Sequence, residues 1–267
     1  MAYVLSVVWV VLSWWLSTVA ILYLDGLPDR TYRRSMLIGT ALLGLGLVLL
    51  WQASDLTTPT GALLGYTGAL AVWGWVELSF LLGFITGPRR SGCAPGCHGG
   101  THFRHAVEAI LHHEFAIIGG AIAVLLMTGA GDNTTGALTY LALWGMRTSA
   151  KLNLFFGVPN TAEELLPERL RYLRTFMHRR RMNPLFPLSV TAITLAAGAT
   201  IGGAVAAVTD FDAVKFTLLS SIVVLGLLEH WLLVLPWRGE ALWRLGAGER
   251  LGGVPRQEPT PVIPPRT

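Results

Sequence analysis

The sequence predicts an all-α, polytopic membrane protein with seven transmembrane helices, and three observations support that fold class. Of the 267 residues, 52% are hydrophobic and only 13% are charged, whereas soluble domains average about 25% charged residues. Apolar stretches of roughly 20 residues, enough to cross a bilayer, recur along the chain. Arginines occur in every second loop. The predicted spans cover residues 3–24, 36–54, 61–87, 106–129, 136–156, 187–209 and 213–236.

The distribution of arginine predicts the orientation of these spans. The first, third and fifth loops and the tail carry arginines, and the second, fourth and sixth loops carry none. Arginine and lysine mark the cytoplasmic loops of membrane proteins. We therefore expect a periplasmic N-terminus and a cytoplasmic C-terminus. The formal charge of +4 reflects this loop bias, so we expect membrane lipids as partners and no nucleic acid.

The chain is predicted to form one transmembrane domain, residues 1–240, followed by a proline-rich cytoplasmic tail, residues 241–267. The polar, basic segment 160–183 is too hydrophilic to span. Its residues 163–181 have the pattern of a short amphipathic helix on the cytoplasmic surface. Residues 237–243 begin and end with tryptophan, which is typical of an interfacial anchor.

Ionisable residues interrupt the predicted spans at a common depth. Such residues cost several kcal/mol in hydrocarbon, so they usually face a protein interior. At 1.5 Å per residue, four helices place them roughly 9–15 Å from the cytoplasmic ends. The candidate metal ligands are Glu77, Glu108, His112, His113, Glu114, Glu229 and His230, and the candidate cofactor-binding residues are Arg147, Lys151 and Asn153.

A carboxylate-bridged iron or manganese pair is one interpretation of this layer, because helical bundles hold such metals with glutamate and histidine. The spacing is not the Glu-x-x-His of those bundles. Glu108 and His112 are four residues apart and share a helix face, together with His105. His113 and Glu114 point in other directions, so these residues cannot all bind one centre.

Two other interpretations stay open. Histidine can ligate the metal of a tetrapyrrole, such as haem or bacteriochlorophyll, while Arg147 and Lys151 meet its carboxylates. Alternatively, the charged groups neutralise one another in a structural network between helices. A proton path is disfavoured, because the outer halves of the helices lack comparable polar residues.

The third loop contains a second candidate site, built on Cys93 and Cys97. Three residues separate these cysteines, so the spacing is not that of the C-x-x-C-H haem attachment motif. The predicted topology puts them in the cytoplasm, where thiols stay reduced. With His98, His102 and His105 they could hold zinc. A flexible glycine-rich loop is the alternative.

Several strings of the sequence resemble the photosynthetic complex assembly protein 2 (PuhE) family of purple phototrophic bacteria. The resemblance covers residues 1–240. The strings that carry it are residues 75–77 (WVE), 80–83 (FLLG), 86–90 (TGPRR), 113–114 (HE), 151–160 (KLNLFFGVPN), 182–187 (MNPLFP) and 229–236 (EHWLLVLP).

The resemblance implies a multi-pass protein of the bacterial inner (intracytoplasmic) membrane. Members of that family are associated with assembly of the reaction centre and core light-harvesting complex, and with control of bacteriochlorophyll production. Reaction-centre or light-harvesting subunits, or pigment-biosynthesis enzymes, are the implied partners. The resemblance brings no catalytic residues, so whether the chain is an enzyme stays open. The alternative is a membrane metal-dependent oxidoreductase that acts on a tetrapyrrole or another lipophilic substrate at the Glu/His layer.

Overall fold

The computed structural model describes residues 2–94, 96–129, 131–161, 163 and 166–235. These residues form α-helices, short 3-10 helices and connecting turns, with no β-strand among them, which confirms the all-α prediction. The helices are α1 (Ala2–Asp25), α2 (Tyr32–Ala53), α3 (Pro59–Leu81), α4 (Gly99–Thr128), α5 (Thr135–Phe156), α6 (Leu185–Val205) and α7 (Asp210–Leu232). The predicted interfacial anchor (237–243) and the tail (241–267) lie outside the described residues.

Five of these helices have the length and hydropathy of membrane spans: α1, α2, α4, α6 and α7. The other two, α3 and α5, are not among these five; both are rich in glycine and threonine, and α5 also carries Arg147 and Lys151. Such residues suit helices that are enclosed by other helices. The number of spans, seven, and the orientation of the termini stay predictions.

Helix α3 lies at the centre of the bundle, against α1, α2, α4, α5 and α7. Its buried side chains, including Tyr66 and Trp73, pack against Tyr140 of α5 and the apolar faces of α4 and α7. Helices α2 and α3 approach closely at two glycines. A Cβ at Gly68 would lie 2.7 Å from the carbonyl oxygen of Gly46, so this crossing requires a residue without a side chain.

The connection between α3 and α4 differs most from the prediction. Helix α3 ends at Leu81, six residues early, because Gly83 takes a φ of +76° and reverses the chain. The backbone amide of Phe84 then donates to Ser79 O over 2.9 Å. Helix α4 begins at Gly99, seven residues before the apolar stretch starts. The hydropathy pattern marks only the apolar stretch as a span, so it assigned the polar first turns of this helix to the preceding loop.

The arginine-rich loops meet at one end of the bundle. Arg169, between α5 and α6, places its guanidinium 3.7 Å from the Asp25 carboxylate at the end of α1. The Cys93 amide, between α3 and α4, donates to the Thr175 hydroxyl over 3.1 Å. Asn160 donates to a carbonyl at the end of α7 over 2.8 Å. We call this the loop end of the bundle.

The segment expected to be an amphipathic surface helix is amphipathic, but it is a nine-residue 3-10 helix, Glu168–Phe176. Leu170, Leu173 and Phe176 are buried in a cluster with Phe80 of α3 and Ala109 of α4. The segment therefore closes the loop end of the bundle instead of lying apart on the membrane surface.

Candidate functional site

The ionisable residues that the sequence places at a common depth in the predicted spans form what we call the polar layer. Glu77 of α3 is its centre. Its Oε2 accepts a hydrogen bond of 2.9 Å from Arg147 Nη2 of α5. Its Oε1 lies 3.9 Å from His113 Nε2 of α4. Three helices thus deliver a carboxylate, a guanidinium and an imidazole to one point, as the sequence predicted. The Glu77 side chain is 12% exposed and that of Arg147 is 37% exposed, so the pair lies at the edge of the core.

His113 is fully buried and stacks on Phe80, with ring centroids 4.2 Å apart. Within the described residues, neither of its ring nitrogens has a hydrogen-bond partner. Its backbone amide donates to Thr86 O over 2.9 Å, which fastens the α3–α4 connection to the middle of α4. The layer and the loop end are therefore joined through the backbone at His113.

A second ion pair lies beside the first. Lys151 Nζ of α5 donates to Glu114 Oε1 of α4 over 2.6 Å, and both side chains are mostly buried. This pair binds α4 to α5, as the Glu77–Arg147 pair binds α3 to α5. Opposite charges in close contact are what partly buried ionised groups require.

His230 of α7 joins the layer through hydrogen bonds at both ring nitrogens. Its Nδ1 lies 2.8 Å from Gly226 O and its Nε2 lies 2.9 Å from Ser149 Oγ. Because a carbonyl oxygen only accepts, Nδ1 donates to Gly226 O. Both nitrogens are therefore engaged, and a metal at His230 would have to displace Ser149.

Glu229 lines a cavity of about 240 Å³ between α1, α3, α5 and α7, together with Glu77 and Arg147. The cavity is partly open, and Glu229 is among its exposed residues. Trp14 and Trp73 form part of its wall. A cavity with aromatic walls and an arginine suits an amphipathic ligand with a polar group.

Three of the predicted site residues lie elsewhere. Glu108 faces the loop end, with Oε2 3.9 Å from Arg89 and Oε1 3.5 Å from Arg104. His112 is exposed on α4. Asn153 is fully buried away from the cavity lining and donates to Ser189 Oγ over 3.0 Å.

Residues that the sequence analysis did not single out complete the site. Trp14, Ser17, Thr18 and Ile21 present one face of α1 to the cavity. Their i, i+3, i+4, i+7 spacing is the signal that could have found them. The partner of His230, Ser149, gives no such signal, since a single serine in an apolar helix is common.

The close pairing favours the structural-network interpretation of the layer. Arg147 and Lys151 already occupy oxygens of Glu77 and Glu114 that a metal would need. Among the described residues, the group of three potential metal ligands with mutually close donor atoms lies elsewhere, at Cys93, Cys97 and His102.

The fold and the layer define a helical membrane protein with paired charges inside the bundle and a partly open cavity between helices. Within that class, the chain belongs to the DUF3623 family, described as a protein of unknown function, whose model matches residues 1–251. It is 38% identical over 234 residues to a protein of Rhodobacter capsulatus described as an uncharacterized 30.4 kDa protein in the puhA 5′ region. The alignment covers 86% of this chain and 85% of that relative. No solved structure matches the chain.

Proposed function

We propose that the chain is an integral membrane factor for assembly of the photosynthetic reaction centre and core light-harvesting complex, and that it modulates bacteriochlorophyll production. The observation that carries the proposal is the relative in the puhA 5′ region, a photosynthesis gene region. The PuhE-like strings of the sequence point to the same process. The inner (intracytoplasmic) membrane is the corresponding location.

The structure supports this proposal because three of the PuhE-like strings fold as one unit. Asn183 donates to Asn153 Oδ1 over 3.1 Å and to Gly157 O over 2.9 Å. Asn160 donates to Leu232 O at the end of α7. The strings 151–160, 182–187 and 229–236 therefore build a rigid part of the loop end, which a partner protein can recognise without an ordering cost.

Exposed basic residues lie on this unit. Arg180, Arg181 and Met182 are exposed next to Asn183. An arginine-rich patch with an exposed apolar residue suits a protein partner with an acidic surface. It also suits anionic lipid headgroups, each basic residue contributing about 1 kcal/mol there. The proposed partners are reaction-centre or light-harvesting subunits, or a pigment-biosynthesis enzyme.

A metal-dependent oxidoreductase is the second candidate, and the cavity is the observation in its favour. Glu77 and Glu229 face the same cavity, whose apolar walls suit a lipophilic or tetrapyrrole substrate. The Arg147 guanidinium on Glu77 is the observation against it. Near-stoichiometric iron or manganese that is lost in a Glu77→Ala/Glu229→Ala variant would select this candidate over the assembly factor.

The test of the assembly proposal is gene deletion in the phototrophic host, followed by complementation. We expect the deletion strain to accumulate less core complex, measured by membrane absorption spectra, and the wild-type gene to restore it. An Arg180→Glu/Arg181→Glu variant should be inserted normally yet restore less and capture fewer core-complex subunits.

The matched control is Arg33→Glu/Arg34→Glu, which makes the same charge change on exposed residues in the first turn of α2, at the same end of the bundle. Equal loss in both variants would mean that overall charge, not this surface, is responsible. Normal core-complex levels in the deletion strain would refute the assembly proposal.

A further inference from the structure

The α3–α4 loop and the first turns of α4 bring four metal-ligand side chains together, outside the polar layer. His105 Nδ1 lies 3.2 Å from Cys93 Sγ and 3.5 Å from Cys97 Sγ. The two sulfurs and a ring nitrogen of His102 all lie within 4.8 Å of one another. One ion can therefore contact the two sulfurs together with His102, and His105 lies beside the same two sulfurs.

His102 is the observation that points to a ligand. It is only 6% exposed, and within the described residues neither ring nitrogen has a hydrogen-bond partner. Its ring lies against Phe155 and Phe176, with centroids 5.5 Å away in each case. A buried polar group without a partner is destabilising, and a metal bound to one ring nitrogen would give that nitrogen a partner.

His98, by contrast, does not belong to the cluster. It is exposed, and its Nδ1 donates to Gly96 O over 2.6 Å. The sequence could not separate it from His102 and His105, because all three follow the cysteines closely. Burial and the positions of the sulfurs distinguish them.

We propose that Cys93, Cys97, His102 and His105 bind one zinc ion when the cysteines are reduced. Two thiolates and two imidazoles are a tetrahedral zinc set, and thiolates favour zinc over harder cations. This assignment is independent of the proposed assembly function.

The structure joins Cys93 and Cys97 in a disulfide bond, so the disulfide and the zinc site exclude each other. A dithiol reductant supplies two electrons and two protons, the S–S bond breaks, two thiols form, and the reductant is oxidised to its own disulfide. Zinc binding then releases the two thiol protons to solvent. The loop is closed in both states, by a covalent bond in one and by the ion in the other.

Bound zinc would also fasten the loop end. The Cys93 amide already donates to Thr175 of the 3-10 helix, and His102 packs against Phe176 of the same helix. An ion held by Cys93 and His102 would therefore connect the α3–α4 loop, α4 and the segment that closes the loop end.

The test is a metal titration of the full-length protein in detergent, with Co²⁺ as the spectroscopic probe and Zn²⁺ as its competitor. After reduction with a phosphine, we expect one Co²⁺ per chain, thiolate-to-cobalt charge-transfer bands, and displacement by Zn²⁺. The protein with its disulfide intact should show no such bands. This comparison uses the wild-type chain and so does not depend on the folding of a variant.

Variants identify the nitrogen ligands. Removing a residue that only contacts a metal ligand lowers metal affinity about 10–100-fold. Removing a ligand itself should cost no less, so we expect His102→Ala and His105→Ala each to lower Co²⁺ affinity by at least ~10-fold. His98→Ala should leave the affinity unchanged, and Cys93→Ser/Cys97→Ser should abolish the bands. Absent bands in the reduced wild-type protein would overturn the proposal. So would equal affinities of the His98, His102 and His105 variants.

Discussion

The two histidine clusters of this protein differ in what faces their imidazoles. In the polar layer, glutamates are paired with Arg147 and Lys151, and His230 is hydrogen-bonded at both nitrogens. At the loop end, His105 faces two sulfurs, and buried His102 has no hydrogen-bond partner among the described residues.

The difference shows that residue type alone does not identify a metal site. The layer contains the ligands of an iron or manganese centre, but cations are already bound to the carboxylates of Glu77 and Glu114, as in a structural network. The loop cluster has fewer residues, yet it includes two soft sulfur donors, and among the described residues no cation lies at hydrogen-bond distance from it. The two clusters should differ in how much they contribute to the free energy of unfolding, which is measured for each variant by reversible unfolding in mixed detergent.

The largest effect should come from Gly87, on the connection between the two clusters. A Cβ there would lie 2.1 Å from Glu108 O and 2.5 Å from Ala109 C, and backbone atoms of α4 cannot move away cheaply. Gly87→Ala should therefore destabilise the protein by about 3 kcal/mol, the upper part of the range for overpacking. Gly74→Ala in α3, which meets no atom within 4 Å, is the control and should be neutral or slightly stabilising.

The next effect should come from the Glu77–Arg147 pair. Removing one partner of a fully buried pair costs about 3–5 kcal/mol. Because Arg147 is 37% exposed, we expect Glu77→Ala to cost less, about 2 kcal/mol, through the charge left on Arg147. The double variant Glu77→Ala/Arg147→Ala should be more stable than the sum of the single changes predicts. Additive single changes would mean that the two groups do not interact.

A smaller effect is expected for the Lys151–Glu114 pair, whose side chains are 20% and 27% exposed. Lys151→Gln keeps a hydrogen-bond donor and removes the charge, so the loss should be about 1 kcal/mol. The loss should shrink in high salt if water reaches the pair, because salt screens exposed charges. A larger loss than that of Glu77→Ala would reverse the ranking of the two pairs.

The smallest effect should come from Arg104→Ala at the loop end. Arg104 is 70% exposed and lies one helical turn from Glu108. Exposed pairs of this kind contribute about 0.3–0.5 kcal/mol. The same substitution should leave cobalt affinity unchanged, since Arg104 contributes no donor atom to the cluster. A loss above that of Lys151→Gln would show that the loop end, not the layer, contains the stabilising charges.

The amino-acid sequence alone predicted the helices well, because long apolar stretches with glycine, proline and aspartate between them leave few alternatives. It also predicted that Glu77, His113 and Arg147 lie together, since helix rise converts residue number into depth. The depth of a residue along its helix does not, however, specify in which direction its side chain points around the helix axis. Glu108 and His112 were included in the site, yet one faces the arginines of the loop end and the other is exposed.

The sequence by itself therefore determined the all-helical class and the residue types of the polar layer. Only the tertiary structure decided which charges form pairs. It also decided that Asn153 connects the PuhE-like strings and that Trp14 and Trp73 line a cavity. It also decided that His102 and His105, not His98, face the cysteines. The physical reason is that hydropathy and periodicity are properties of one helix, whereas ion pairs, cavities and ligand clusters depend on how several helices are rotated and packed against one another.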